Sequence, residues 1–171
     1  MSRFLTPDYY FETLDKVPEN FFKDNKITLI ICDIDNTLAT YDDVYPTEYT
    51  RQFIDRMKAE GIVVELISNN SCERVETFSR ELDCYYVGNG KKPFCSTKPI
   101  KEAMKKTSSV KEGTLIIGDQ IFTDVLAGRM ASIKTMLVEP LGHSNLPFFG
   151  IKRALEKPIK KRYVKKYGKN V

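Results

Sequence analysis

Ile27-Thr28-Leu29-Ile30-Ile31-Cys32-Asp33-Ile34-Asp35-Asn36-Thr37-Leu38 is the stretch that decides the fold of this chain. Its first six residues are almost continuously apolar, as in a parallel strand covered on both faces, and a pair of carboxylates follows at once. Alternate residues of an extended segment point the same way, so Asp33 and Asp35 can face one site while Ile34 stays buried. Such a pair repels unless neutralised, and an oxygen-seeking divalent cation such as Mg2+ is the natural remedy. A strand mouth of this kind can hold a cation and attack phosphorus. The same hexapeptide also reads as a strand-closing turn. A calcium loop is excluded, because that loop needs Gly and Glu where this chain has Leu38 and Val44.

Outward from this strand the pattern alternates. Thr47 can cap a helix carrying Tyr49, Phe53, Ile54 and Met57, which Gly61 stops. Ile62-Val63-Val64-Glu65-Leu66-Ile67 reads as a second strand ending at Ser68-Asn69-Asn70. Ser71 can cap a helix with Val75, Phe78 and Leu82 on one face, and 84–87 is a short third strand broken by Gly88-Asn89-Gly90. Pro99 suits the first turn of a helix reaching about residue 106. Thr114-Leu115-Ile116-Ile117 is a fourth strand stopping at Gly118-Asp119. A helix over 123–131 and a fifth strand, Thr135-Met136-Leu137-Val138, complete the series. Five strands alternating with helices predict a Rossmann-like α/β sandwich around a parallel sheet, with strand order 3-2-1-4-5. Asp33, Ser68 and Asp119 each follow an apolar strand, and Lys98 lies in the loop before a helix, so these polar groups converge on the carboxyl edge of the sheet, where ligands bind.

At 171 residues, 42% hydrophobic and 29% charged, the chain suits one folded domain. No apolar run approaches the roughly 18 residues that a membrane span needs, and no signal-type core follows Met1, which places the protein in the cytoplasm. Four cysteines (32, 72, 84, 95) without a Cys-x-x-Cys pair, and His143 as the single imidazole, argue for reduced thiols rather than a zinc site. Residues 151–171 hold nine Lys or Arg against Glu156 alone, a basic tail on a mildly acidic body. The expected division is an aromatic, partly helical N-terminal extension over 1–26, which Pro7 could start as a helix, a domain over 27–150 and the tail over 151–171.

Asp33-Ile34-Asp35-Asn36-Thr37, Ser68, Lys98 and Gly118-Asp119-Gln120-Ile121-Phe122-Thr123-Asp124 resemble, in order and spacing, the four motifs of the haloacid dehalogenase (HAD) superfamily of phosphohydrolases. The resemblance implies that Asp33 is the nucleophile forming an aspartyl-phosphate and that Asp35 protonates the leaving group and then activates water. It implies Mg2+ held by Asp33, the Asp35 backbone carbonyl and Asp119, with Asp124 in the outer shell. Thr37 would position the loop, Ser68 and Asn69 would bind the phosphoryl group, and Lys98 would offset charge. Asp35 favours phosphate hydrolysis or a mutase over carbon dehalogenation and ion pumping. The short segments after Leu38 and after Ser68 leave no room for a substantial cap domain, and an open site suits a large or surface-presented substrate.

The compact Asp-Ile-Asp-Asn-Thr-Leu form, Phe4-Leu5-x-Pro7 and Ile151-Lys152-Arg153-x-x-Glu156 are similar to the bacterial YqeG family, itself similar to phosphatidylglycerophosphate phosphatases. The substrate so implied is a lipid head group. Ile159, Tyr163, Val164 and Tyr167 recur at helical spacing among the tail lysines, as in a basic helix lying on anionic lipid at the inner face of the membrane. The alternatives are a phosphatase of polynucleotide ends, for which Lys/Arg with Tyr is a nucleic-acid footprint, a small-metabolite phosphatase, and a non-enzymatic adaptor binding RNA or protein. Retention of Asp33, Asp35, Lys98 and Asp119 argues against the adaptor.

Overall fold

A computed structural model of the chain describes residues 3–68, 72–87, 96–142 and 147–169. The expected roles of Asn69 and Asn70, the Ser71 cap, the glycine break at 88–90, Cys95 and His143 lie outside these residues.

In chain order the regular elements are strand β1 (Tyr9–Phe11), helix α1 (Phe21–Asp24), β2 (Leu29–Asp33), α2 (Glu48–Ala59), β3 (Val63–Ile67), α3 (Cys72–Leu82) and β4 (Tyr85–Tyr86). There follow α4 (Lys98–Lys106), β5 (Thr114–Gly118), a π-type turn (Ile121–Val125), α5 (Leu126–Ala131), β6 (Lys134–Val138) and α6 (Pro147–Tyr167). All strands pair in parallel in the order β1-β6-β5-β2-β3-β4. The five expected strands hold their expected order, and the sheet is that of a Rossmann-like α/β fold. It gains a sixth member at the edge.

That sixth strand corrects the expected N-terminal extension. Pro7 starts no helix. Tyr9–Phe11 instead lies along β6, with Tyr10 opposite Leu137, and Asp8 N–H donates to the Thr135 carbonyl at 3.0 Å. Phe11, Leu14, Val17 and Phe22 are buried in the main core, and Phe21 and Phe22 meet edge to face at 5.3 Å. The N-terminal aromatic bulk therefore packs on the domain's own sheet and completes its core.

Side chains alternate between the two faces of the sheet. Ile30, Cys32, Val64, Leu66, Leu115 and Ile117 pack under Phe53, Ile54 and Met57 of α2 and Val75, Phe78 and Leu82 of α3. Leu29, Ile31, Ile67 and Ile116 face the other way, against Ile100 and Ala103 of α4 and Ala127 and Ala131 of α5. The central strand is buried at every position, which explains its unbroken apolar run. Thr47 Oγ1 accepts the Thr50 N–H at 3.3 Å and caps α2, and Gly61, at φ +72°, ends the turn after it.

The basic tail forms most of α6, and two of the four residues expected to meet lipid, Ile159 and Tyr163, are turned inward. Tyr163, 3% exposed, packs with Tyr10, Ile121, Val125 and Leu137, with Ile159 against the same cluster. Its hydroxyl donates to the Asp8 carbonyl at 3.0 Å. Val164 and Tyr167 remain exposed. Among the described residues no helix is long and apolar enough to cross a membrane.

Candidate active site

Strand order reverses between β2 and β5: from β2 the chain builds outward through β3 and β4 on one side, then returns to β5 and β6 on the other, where β1 forms the edge. Such a switch point opens a crevice at the carboxyl ends of the strands. Asp33 ends β2, and Asp119 directly follows β5, its hydrogen-bonded neighbour. The π-type turn then brings Asp124 back toward them, with its N–H on the Gln120 carbonyl at 3.1 Å. Oxygens of Asp33, Asp119 and Asp124 all lie within 4.8 Å of one another, and all three residues are buried.

Three buried carboxylates this close require positive charge. The set is all oxygen, the kind that suits a hard divalent cation. Among the described residues Asp119 Oδ1 is buried without a hydrogen-bond partner, an acceptor left over for such an ion, so the residues present fit a metal. Asp124 contributes an oxygen to this cluster. Gly118 makes the approach possible, since a Cβ there would stand 2.2 Å from Asp124 Cγ.

Asp35 is set apart from the cluster. Ser68 Oγ donates to its Oδ2 at 2.6 Å, and Arg74 Nε donates to its Oδ1 at 2.9 Å. Arg74 also donates to the Thr40 carbonyl at 2.7 Å and to the Asp43 carbonyl, and its guanidinium stacks over the Phe78 ring at 4.9 Å. One side chain thus fixes Asp35 and the loop behind it. Between Asp33 and that loop the backbone curls tightly: the Ile34 carbonyl accepts from Leu38 and Ala39 N–H groups, both at 3.0 Å, and Asn36 adopts φ +62°, which Asn tolerates better than most residues. Thr37 is buried in this curl, and among the described residues its Oγ1 and both Asn36 side-chain polar atoms have no partner. Tyr41, half-buried beside the curl, has its hydroxyl pKa raised by burial and then by the charges of Asp35, Asp33 and Asp119.

Arg153, from α6, closes the other side. Its guanidinium is paired with Asp119 Oδ2, donates to the Asp119 carbonyl at 2.6 Å and approaches Glu156 Oε2 at 3.4 Å. Glu156 in turn accepts the Ile121 N–H at 2.7 Å, anchoring α6 to the π-type turn. Burial pushes the Asp119 carboxyl above its ordinary range while Arg153 pulls it back. The guanidinium keeps its proton, and the contact is an ion pair.

The structure therefore brings together Asp33, Asp35, Thr37, Ser68, Asp119 and Asp124. It leaves Lys98 outside: the side chain is 81% exposed, with its ammonium 3.9 Å from Glu102. Arg74 and Tyr41 went unread in the sequence, and Arg153 was read as part of a resemblance and as tail charge. Arg74 lies in the first turn of the helix after Ser68, a position facing the same mouth. Arg153 gave no local signal beyond its neighbourhood with Glu156.

Comparison with known proteins agrees with this geometry. A family profile described as "Mitochondrial PGP phosphatase" matches residues 1–142. The probable phosphatase YqeG of Bacillus subtilis (strain 168) is 31% identical over 159 residues, spanning 93% of this chain and 91% of that protein. Among solved structures, the cobalt-bound deoxy-D-mannose-octulosonate 8-phosphate phosphatase of Haemophilus influenzae superposes with a TM-score of 0.53 at 16% identity, covering 81% of this chain and 90% of that one. The corresponding enzyme of Moraxella catarrhalis, with magnesium and phosphate ions bound, gives 0.50 at 17% identity over 83% and 91%. At such identities these two likenesses concern the fold. The family match over most of the chain is what identifies it: the chain belongs to the PGP phosphatase family and is a phosphatase of the HAD superfamily.

Proposed function

We propose that this phosphatase is a Mg2+-dependent phosphomonoester hydrolase that works through an aspartyl-phosphate on Asp33 and removes the terminal phosphate of phosphatidylglycerophosphate, giving phosphatidylglycerol. The observation that carries the chemistry is the division of labour among four buried aspartates: three share one oxygen cluster, while Asp35 stands apart on Ser68 and Arg74. The family match supports the lipid substrate.

Asp33 attacks phosphorus as the ester oxygen leaves, and Asp35 delivers a proton to that oxygen. The ionised Asp35 then takes a proton from water, which attacks the phosphoaspartate, restoring Asp33 and releasing inorganic phosphate. Ser68 and Arg74 hold Asp35 in place for both transfers. Mg2+, carried by Asp33, Asp119 and Asp124, would supply charge neutralisation for the carboxylates and the phosphoryl oxygens. Arg153 already balances part of the Asp119 charge. Lys98 sits at the start of α4, and its exposed pairing with Glu102 is weak enough for the side chain to swing toward a bound phosphate.

A site at the carboxyl edge of the sheet, with connecting segments too short for a substantial cap, suits a head group presented at a membrane surface. With Tyr163 turned inward, contact with anionic lipid would rest mainly on the lysines of α6, each contributing roughly 1 kcal/mol near the surface. Phosphate release from phosphatidylglycerophosphate vesicles, phosphorylated RNA and DNA ends, and sugar and nucleotide phosphates tests the reading. Metal-dependent turnover with the lipid as the preferred substrate is expected. Preference for polynucleotide ends or for a small metabolite would replace it.

A further inference from the structure

Arg153, Lys157, Lys161 and Lys165 follow one another at four-residue spacing on α6, so their side chains form one row along the helix. The row does not float free of the active site. Its first member is the guanidinium paired with Asp119. All four line a cleft of about 660 Å³ between α6 and the segment following β6, with Glu139 on the opposite wall. That segment runs on to the nucleophile loop, where the Leu141 N–H donates to the Asn36 carbonyl at 2.9 Å.

The carboxylates of this cleft are already answered. Glu139 is held by Lys160 at 2.8 Å, by the Tyr10 hydroxyl and by Lys169 at 3.8 Å, and Glu156 is buried between Arg153 and the Ile121 N–H. Lys157, Lys161 and Lys165 have no carboxylate partner among the described residues, and all three are exposed. The cleft thus presents surplus positive charge, beginning at Arg153, which pairs with Asp119, and leading away along α6.

We propose that this row is a subsite for a second phosphate, a diester, carried by the same substrate molecule whose monoester is cleaved. The inference rests on the lipid reading above and deepens it: Lys157 and Lys161 select substrates in which a short polyol bridge joins a phosphomonoester to a phosphodiester. The lengths agree. Lys157 is displaced from Arg153 by roughly 6 Å along the helix and Lys161 by roughly 12 Å. A three-carbon bridge spaces two phosphorus atoms by little more than the helical rise from Arg153 to Lys157. With the monoester among Asp33, Asp119 and Asp124, the diester falls between those two ammonium groups, and an attached acyl chain would leave along Val164, which lines the same cleft.

The test uses soluble substrates, so that membrane binding plays no part. For the full chain with Mg2+, kcat/KM is compared between glycerophosphoglycerophosphate, which has both phosphates, and glycerol 3-phosphate, which has the monoester alone. The wild type should prefer the first by at least about 10-fold, a modest demand on two charge-assisted contacts. The K157Q/K161Q variant should lose most of that ratio, while K16Q/K23Q, with the same change of charge far from α6, should keep it. Thermal melting of each variant checks the fold. Turnover of both compounds with equal efficiency, or a ratio that survives K157Q/K161Q, overturns the inference alone. Turnover of an aryl phosphate but of neither phosphoglycerol compound overturns the lipid reading and the inference together. A K157Q/K161Q variant that keeps the ratio but loses affinity for 5′-phosphorylated RNA would make the row a polynucleotide track.

Discussion

Replacing Gly118 by alanine should injure the metal site selectively. A Cβ at this position would stand 2.2 Å from Asp124 Cγ and Oδ2 and 2.5 Å from Asp124 Cβ. Ordinary contact begins at 3.4 Å, so Asp124 must retreat by about 1 Å. Its Cβ is among the clashing atoms, so rotating the carboxylate does not relieve the clash, and the π-type turn has to move. That turn also holds the Gln120 N–H on Asp124 Oδ2 at 3.1 Å. Overpacking of this size costs about 1–3 kcal/mol of stability. Displacing one oxygen of a cluster whose members lie within 4.8 Å should weaken cation binding by roughly 10–100-fold, the range found when metal-site support is lost. The assay is phosphate release from an aryl phosphate against Mg2+ concentration, alongside the rise in melting temperature that Mg2+ produces. The half-saturating Mg2+ concentration should climb by that factor while saturating Mg2+ restores much of the turnover. An unchanged Mg2+ dependence in a folded Gly118→Ala protein would refute the assignment of Asp124 to the site.

Arg74→Ala removes the fork that joins Asp35 to the Thr40 and Asp43 carbonyls, and kcat should fall on the order of 100-fold with little change in KM; Arg74→Lys should recover only part, and a fall confined to KM would contradict a role through Asp35. Tyr163→Ala strips a buried aromatic ring from the contact between α6 and β1 and should cost about 3 kcal/mol in urea unfolding, whereas a loss below about 0.5 kcal/mol would mean that the tail is undocked. Glu65 is buried in β3, and burial raises its pKa above 4.5 although Lys106 opposes this. The folded state then holds the proton more tightly than the unfolded one, so the stability it contributes is full below pH 4.5 and is lost as pH rises through the folded value. Glu65→Gln should accordingly flatten the pH dependence of the melting temperature across that window; an unaltered profile would assign it to other groups.

The parts of this fold that were legible in the sequence are those set by burial on both faces. Leu29 to Cys32 could be read as a central strand because nothing polar interrupts it, and the order of five strands followed from their alternation with helices. Tyr9–Phe11 was not legible. Three aromatic residues after a proline carry no period, and what makes them a strand is the free edge of β6, some 127 residues along the chain. The tail shows the same limit: Ile159 and Tyr163 announced an apolar stripe, but spacing alone does not say whether a stripe faces a sheet or a membrane. At the site, the aspartates could be placed because strand ends fix where they emerge. Long cationic side chains are another matter, since their stems reach several ångströms in any direction. Lys98 was read as facing the site and turns to Glu102, while Arg153, distant in sequence, reaches Asp119.

The central claim is that Asp33 carries the phosphoryl group, and rapid acid quenching of the enzyme during turnover of a radiolabelled phosphomonoester tests it most directly. With Mg2+ present, label should appear in an acid-stable, hydroxylamine-labile linkage that peptide mapping assigns to Asp33, and Asp33→Asn should neither turn over substrate nor retain label. Label on another residue, or substantial turnover by Asp33→Asn, would contradict the account.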